Sequence, residues 1–216
     1  MKKYSVFLSA SILCTLLFSC NDPLDGTKIQ LSGSTSEIGK VGATVGSSSV
    51  EISGVSNFTA TVTSLEDGVS VYDGSATVKN TMLKNLLTNI PGITISGNTV
   101  TGTGIKFKQT VDGLQFLSGP TAGVWFKYSS SVGDTYPVGT TGEVRTVVSK
   151  STSDDYPYGF YNIKTIQVEE TPTYFSSAGI TNIRYVANHK FGLVGVIFTF
   201  SDNSTAKFPI YNSGEN

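Results

Sequence analysis

The chain is 216 residues long, with 15 basic and 16 acidic side chains, a net charge of −1 and 14% charged residues. An average domain carries about 25% charged residues, and no basic stripe interrupts this one, which argues against nucleic acid and anionic lipid as partners. Two cysteines and one histidine restrict disulfide and metal chemistry from the outset.

Lys2 and Lys3 precede an apolar run of 15 residues, Tyr4 to Phe18, that includes Phe7, Leu8, Ile12, Leu13 and Leu16. A membrane-spanning helix needs about 20 such residues, so the run reads as the core of a secretory signal. It ends in Leu17-Phe18-Ser19-Cys20, which resembles a bacterial lipobox with Leu17 at −3, Ser19 at −1 and Cys20 at +1. The resemblance implies cleavage before Cys20 and acylation of its thiol and amine. Each buried CH₂ of lipid contributes about 0.8 kcal/mol, and two or more chains hold a protein stably on a membrane. The alternative is an ordinary signal peptide cut near Ser19, with Cys20 left as a free thiol. Cleavage takes Cys14 and two lysines with it, so 13 basic residues then face 16 acidic ones. Asp22 and Asp25 follow, in partial likeness to the acidic stretch that accompanies surface display in Bacteroidetes lipoproteins. The expected location is the outer membrane, with the periplasmic and cell-surface faces both open.

Residues 20–47 are rich in Gly, Ser and Thr and read as a flexible tether, because so few apolar groups cannot offset the entropy of ordering them. Ile29, Leu31 and Ile38 leave room for one short docked strand. From residue 48 onward, alternating runs bounded by Asp67-Gly68 and Asp73-Gly74 predict antiparallel strands. A single short helix is expected at about 80–90: Asn80 caps it, Leu83, Leu86, Leu87 and Ile90 form its apolar stripe, and Pro91 ends it. The Asp112-Gly113 pair predicts a two-residue hairpin turn that sets Val111 against Leu114 and Gln109 against Phe116. On that register Thr110 and Gln115 belong to the wet face.

Gly119-Pro120 suggests a boundary between two β-rich halves, 48–119 and 120–216, with one continuous sandwich or barrel as the alternative. A phase slip after Ile163 predicts a β-bulge near Lys164-Thr165. The last hairpin pairs Phe198 with Phe208 across a three-residue loop, and Pro209 marks an edge strand. The fold class is therefore mainly β, sandwich- or barrel-like, with one short helix.

Val132-Gly133-Asp134-Thr135-Tyr136, Asp154-Asp155-Tyr156-Pro157-Tyr158-Gly159 and Ala187-Asn188-His189-Lys190-Phe191-Gly192-Leu193-Val194-Gly195 resemble segments of uncharacterised Bacteroidetes lipoproteins. The likeness runs from about Ser56 to Tyr211. It implies a compartment and a lineage and carries no activity with it.

The sequence holds no nucleophile elbow, zinc-protease motif, phosphate loop or dinucleotide fingerprint. No cofactor, metal or catalytic residue is assigned. Asp154, Asp155 and His189 are the groups on which a hydrolase of envelope polymers would depend. The more suggestive set is aromatic: Trp125, Tyr128, Tyr156, Tyr158 and Tyr161, beside Asp154 and Asp155. Exposed rings stack on sugar faces, whereas buried ones fill a β core. The leading expectation is a non-catalytic, lipid-anchored binding or scaffold module for a glycan or an envelope protein. The other two are the hydrolase and a structural subunit that adds strands to a neighbour.

Overall fold

A computed structural model describes residues 28–47, 55–88 and 90–213. The leader, Cys20 and the expected strand at 50–53 lie outside the described residues. The first half of the chain runs through β1 (Thr44–Gly46), β2 (Val55–Glu66), β3 (Val69–Val78), α1 (Thr81–Leu87), β4 (Ile93–Ser96), β5 (Thr99–Thr110) and β6 (Gly113–Phe116). The middle supplies β7 (Gly123–Lys127), β8 (Thr135–Pro137), β9 (Val144–Lys150), β10 (Tyr156–Tyr158) and β11 (Tyr161–Ile163). The end supplies β12 (Ile166–Glu170), β13 (Ile180–Asn188), β14 (Gly192–Phe200), β15 (Thr205–Pro209) and β16 (Tyr211–Asn212).

The molecule is mainly β and antiparallel. One sheet has the order β16-β1-β2-β3-β5-β6-β7, with β4 paired to β5, and curls into a half-barrel. A six-stranded sheet has the order β15-β14-β13-β12-β9-β8, and β10 and β11 form a separate hairpin. The chain position near Gly119 does not separate the sheets. β7 extends the first sheet from beyond it, and β16 returns from the C-terminus to pair with β1. One buried cluster joins Val55, Val78 and Val100 to Ile183, Tyr185 and Val196, so both parts of the sequence contribute to one interior.

The helix forms where its pattern predicts. Asn80 Oδ1 accepts from the Leu83 backbone N–H at 3.1 Å, satisfying one of the free donors of the first turn. Lys84 Nζ donates to Gly97 O at 2.9 Å and Asn98 Oδ1 at 3.0 Å, which ties α1 to the β4–β5 turn.

The β5–β6 hairpin differs from expectation by one step of the ladder. Gln109 pairs with Leu114 and Thr110 with Gly113, so the turn is Val111-Asp112 and Val111 is exposed. Inward and outward faces survive because the shift is even. The second face, however, is dry at its turn end: Thr110 and Gln115 are both fully buried, while Lys106 stays exposed. Residues 28–35, read from composition as tether, cover that end, and Ile38 and Gly39 meet Ser70 and Tyr72 on the inward face.

Gln115 Oε1 accepts from the backbone N–H of Gln30 at 2.8 Å and of Leu31 at 3.3 Å, and Gln115 Nε2 donates to Lys28 O at 2.5 Å. Thr35 bridges Thr110, Tyr72 donates to Ile38 O at 3.1 Å and Ser70 to Gly39 O at 2.6 Å. Leu31 and Ile38 are buried. A side chain at Gly192 would begin 2.2 Å from Ile38 Cδ1, and its φ of +68° favours glycine in any case.

The phase slip after Ile163 is a change of sheet. Ile163 ends β11 in the small hairpin, and Ile166 starts β12 in the six-stranded sheet. The irregularity in the β12–β9 ladder lies between Gln167 and Val168. The last hairpin pairs Phe198 with Ala206 and Val196 with Phe208. The Phe200 N–H donates to Ser204 O at 2.9 Å, so the loop keeps three residues, Ser201-Asp202-Asn203, one position earlier than expected, and Asp202 accepts from the Ser204 N–H at 2.9 Å and hydroxyl at 2.6 Å. β15, with Pro209, is the edge of its sheet.

Candidate functional site

Inward-facing residues of a curled sheet cannot all reach the sheet opposite. Here the space between them is a partly open cavity of about 460 Å³. Phe58, Ala60, Ala76 and Val100 line it from the first sheet, and Ile183, Val196 and Phe198 from the second. Leu83 and Leu87 of α1, with Ile90, cover one side, which gives the helix stripe its apolar partner. Protein interiors are close-packed, and ligand pockets occupy about 300–1,000 Å³ with mainly apolar walls and few polar groups. The cavity matches the second description.

Thr121, Trp125, Glu170 and Tyr185 of its lining gather around one buried ion pair. Arg145 and Glu170 are 0% and 3% exposed, with Arg145 Nε 2.7 Å from Glu170 Oε2. Tyr185 donates to Glu170 Oε1 at 2.8 Å. The Arg145 guanidinium also donates to Thr121 O at 2.9 Å and lies 5.8 Å from the centre of the Tyr185 ring. Gly123 makes room for it, since a Cβ there would stand 3.0 Å from the guanidinium. Glu170, Tyr185, Thr121 and Trp125 all line the cavity.

Trp125 stacks on Tyr185 with ring centroids 4.5 Å apart and meets Phe107 edge-on at 5.4 Å. Its Nε1 is buried and has no hydrogen-bond partner among the described residues. Elsewhere on the wall, Tyr72 donates to Ile38 O, and Asn212 donates to Phe191 O at 2.6 Å and Leu193 O at 3.1 Å. Burial pushes the Tyr72 and Tyr128 hydroxyls well above the usual tyrosine range, and the Gln109 side chain offsets part of that at Tyr128.

The aromatic residues singled out in the sequence do not form one exposed row. Trp125 faces the interior, and Tyr128 packs on Phe126 with centroids 5.4 Å apart. Tyr158 is buried against Phe191 at 4.8 Å and Tyr211 at 5.1 Å. Tyr156 is partly buried, and that burial raises its hydroxyl pKa. Tyr161 is 54% exposed, and Phe160, in the β10–β11 turn, is fully exposed.

Asp155 accepts from the Ser151 hydroxyl at 2.8 Å. Asp154 and His189 are both exposed, and they meet with Tyr161 around an open surface hollow. Asn188 holds the His189 turn by accepting from Lys190 N at 2.8 Å and Phe191 N at 3.1 Å. Among the described residues no three His, Cys, Asp or Glu side chains gather closely enough to hold a metal ion.

Sequence reading does not reach the cavity. Period-2 alternation identifies the inward residues, but the gap between facing sheets depends on curvature, which alternation does not encode. Arg145 and Glu170 carried a signal of their own, because they share strand parity with the apolar Val147 and with Ile166 and Val168. No family model, curated protein or solved structure matches this chain.

Proposed function

We propose that this chain is a non-catalytic, lipid-anchored binding module of the outer membrane whose ligand is a small apolar molecule held between its sheets. The carrying observation is the cavity of about 460 Å³ with apolar walls. Water held against such walls finds few hydrogen-bond partners, and an apolar occupant displaces it and loses its own contact with water. Acylation at Cys20 would hold the module at a lipid surface, where apolar ligands are concentrated.

A glycan platform has less to draw on, because Trp125 and Tyr158 are committed to packing inside the fold. Phe160 and Tyr161 are the exposed rings of that stretch.

The test is titration of the full-length chain, carrying Cys20→Ser so that no acyl group is attached, with the fluorescent apolar probe phenylnaphthylamine. Saturable binding of one probe per chain is expected. Absent or non-saturating binding would contradict the reading.

A further inference from the structure

Resting on that reading, we infer that the ligand is a lipid with one hydrocarbon tail, which lies extended along the strands inside the cavity while its polar head stays outside in water. The first ground is length. On β3 the lining runs from Tyr72 to Val78, and on β5 from Val100 to Phe107. The register sets Tyr72 beside Ile105 and Ala76 beside Val100, so both strands border the same stretch. At about 3.3 Å per residue, Tyr72 to Val78 spans about 20 Å. Tyr72 and Phe107, with ring centroids 5.5 Å apart, frame one end. Val78, Val100 and Leu83 of α1 frame the other. A compact molecule would leave much of that apolar stretch in contact with water.

The second ground is polarity. The walls are almost wholly apolar, and polar side chains along them are engaged elsewhere. Tyr185 donates to Glu170, Tyr72 to Ile38 O and Asn212 to Phe191 O. Gln109 Nε2 and Trp125 Nε1 are buried beyond the reach of water. Arg145 and Glu170 neutralise each other at 2.7 Å. A hydroxyl or carboxylate carried inside would lose its water and gain no partner, which is costly. Hydrocarbon has no such water to lose. Because the cavity is partly open, a head group remains hydrated while the tail is inside.

The test displaces phenylnaphthylamine from the full-length Cys20→Ser chain with octanoate, decanoate, dodecanoate, dodecanol and ω-hydroxydodecanoate. The work is done at about pH 8, where the carboxyl group is ionised. Affinity is expected to rise about fourfold for each CH₂ added from octanoate to dodecanoate, as burial of the whole tail requires. Dodecanol and dodecanoate are expected to bind within about fivefold of each other, because neither head leaves water. The ω-hydroxy acid is expected to bind at least roughly tenfold more weakly than dodecanoate, because its far end carries a hydroxyl between the apolar walls.

Affinity that does not grow with tail length would mean a compact ligand and overturns the inference. A larger gap in favour of dodecanol would place the head inside the cavity and also overturns it. Equal binding of the ω-hydroxy acid and dodecanoate would reveal a polar partner for the tail end, with the same consequence. In each of these cases the probe still binds saturably and the cavity reading stands. Failure of the probe itself to bind overturns the cavity reading and this inference with it.

Discussion

Arg145 and Glu170 are where a single residue matters most. Both are almost wholly buried, and each is held by more than the other: Thr121 O accepts from the arginine, and the carboxylate accepts from Tyr185. A buried pair contributes little net stability against an apolar replacement, but removing one member leaves an uncompensated charge. Glu170→Ala is expected to destabilise the fold by about 3–5 kcal/mol, as measured by urea unfolding. A loss under about 1 kcal/mol would mean that water reaches Arg145 readily.

Among the elements, the segment at 28–39 departs most from its composition. Small polar residues there suggest a chain that cannot hold itself in place, and by its own contacts it does not. It is held by groups from strands far along the sequence, Gln115 above all, which meets three backbone groups. A buried glutamine flanked by Leu114 and Phe116 was the available signal, and period-2 reading assigns it to solvent because it alternates with them. Gln115→Ala is expected to cost about 2–3 kcal/mol. It should also raise amide hydrogen exchange at residues 30 and 31 well above that of β5. Unchanged exchange there would show that the segment is held by Leu31 and Ile38 packing instead.

Local elements with their own chemical signals were legible. The α1 cap and stripe, the β15 edge and the approximate positions of the β2–β3, β5–β6 and β14–β15 hairpins follow from side chains adjacent in sequence, whereas β3 runs on through Asp73-Gly74 and the β10–β11 hairpin was not legible. Registers erred by one ladder step in two hairpins, at Thr110–Gly113 and Phe198–Ala206. An even slip preserves the apolar face and leaves no trace in alternation.

At the scale of the whole molecule, two antiparallel sheets share one interior and do not fill it. A helix of two turns lies across part of the opening, and one neutralised ion pair marks a polar end. Trp125 was legible as an aromatic of interest, but its place in the interior came from a pairing of distant strands. As proposed above, the unfilled interior is a binding site and not a packing defect.

The measurement that tests it most directly is phenylnaphthylamine binding to a variant with the space occupied. Ala60→Leu with Ala76→Phe adds apolar volume from two residues that line the cavity on neighbouring strands. The double variant is expected to keep or gain stability, as cavity-filling changes commonly do by about 0.5–2 kcal/mol, while probe affinity falls by at least roughly tenfold. A folded double variant that binds the probe as tightly as the parent chain would place the site elsewhere and contradict the claim.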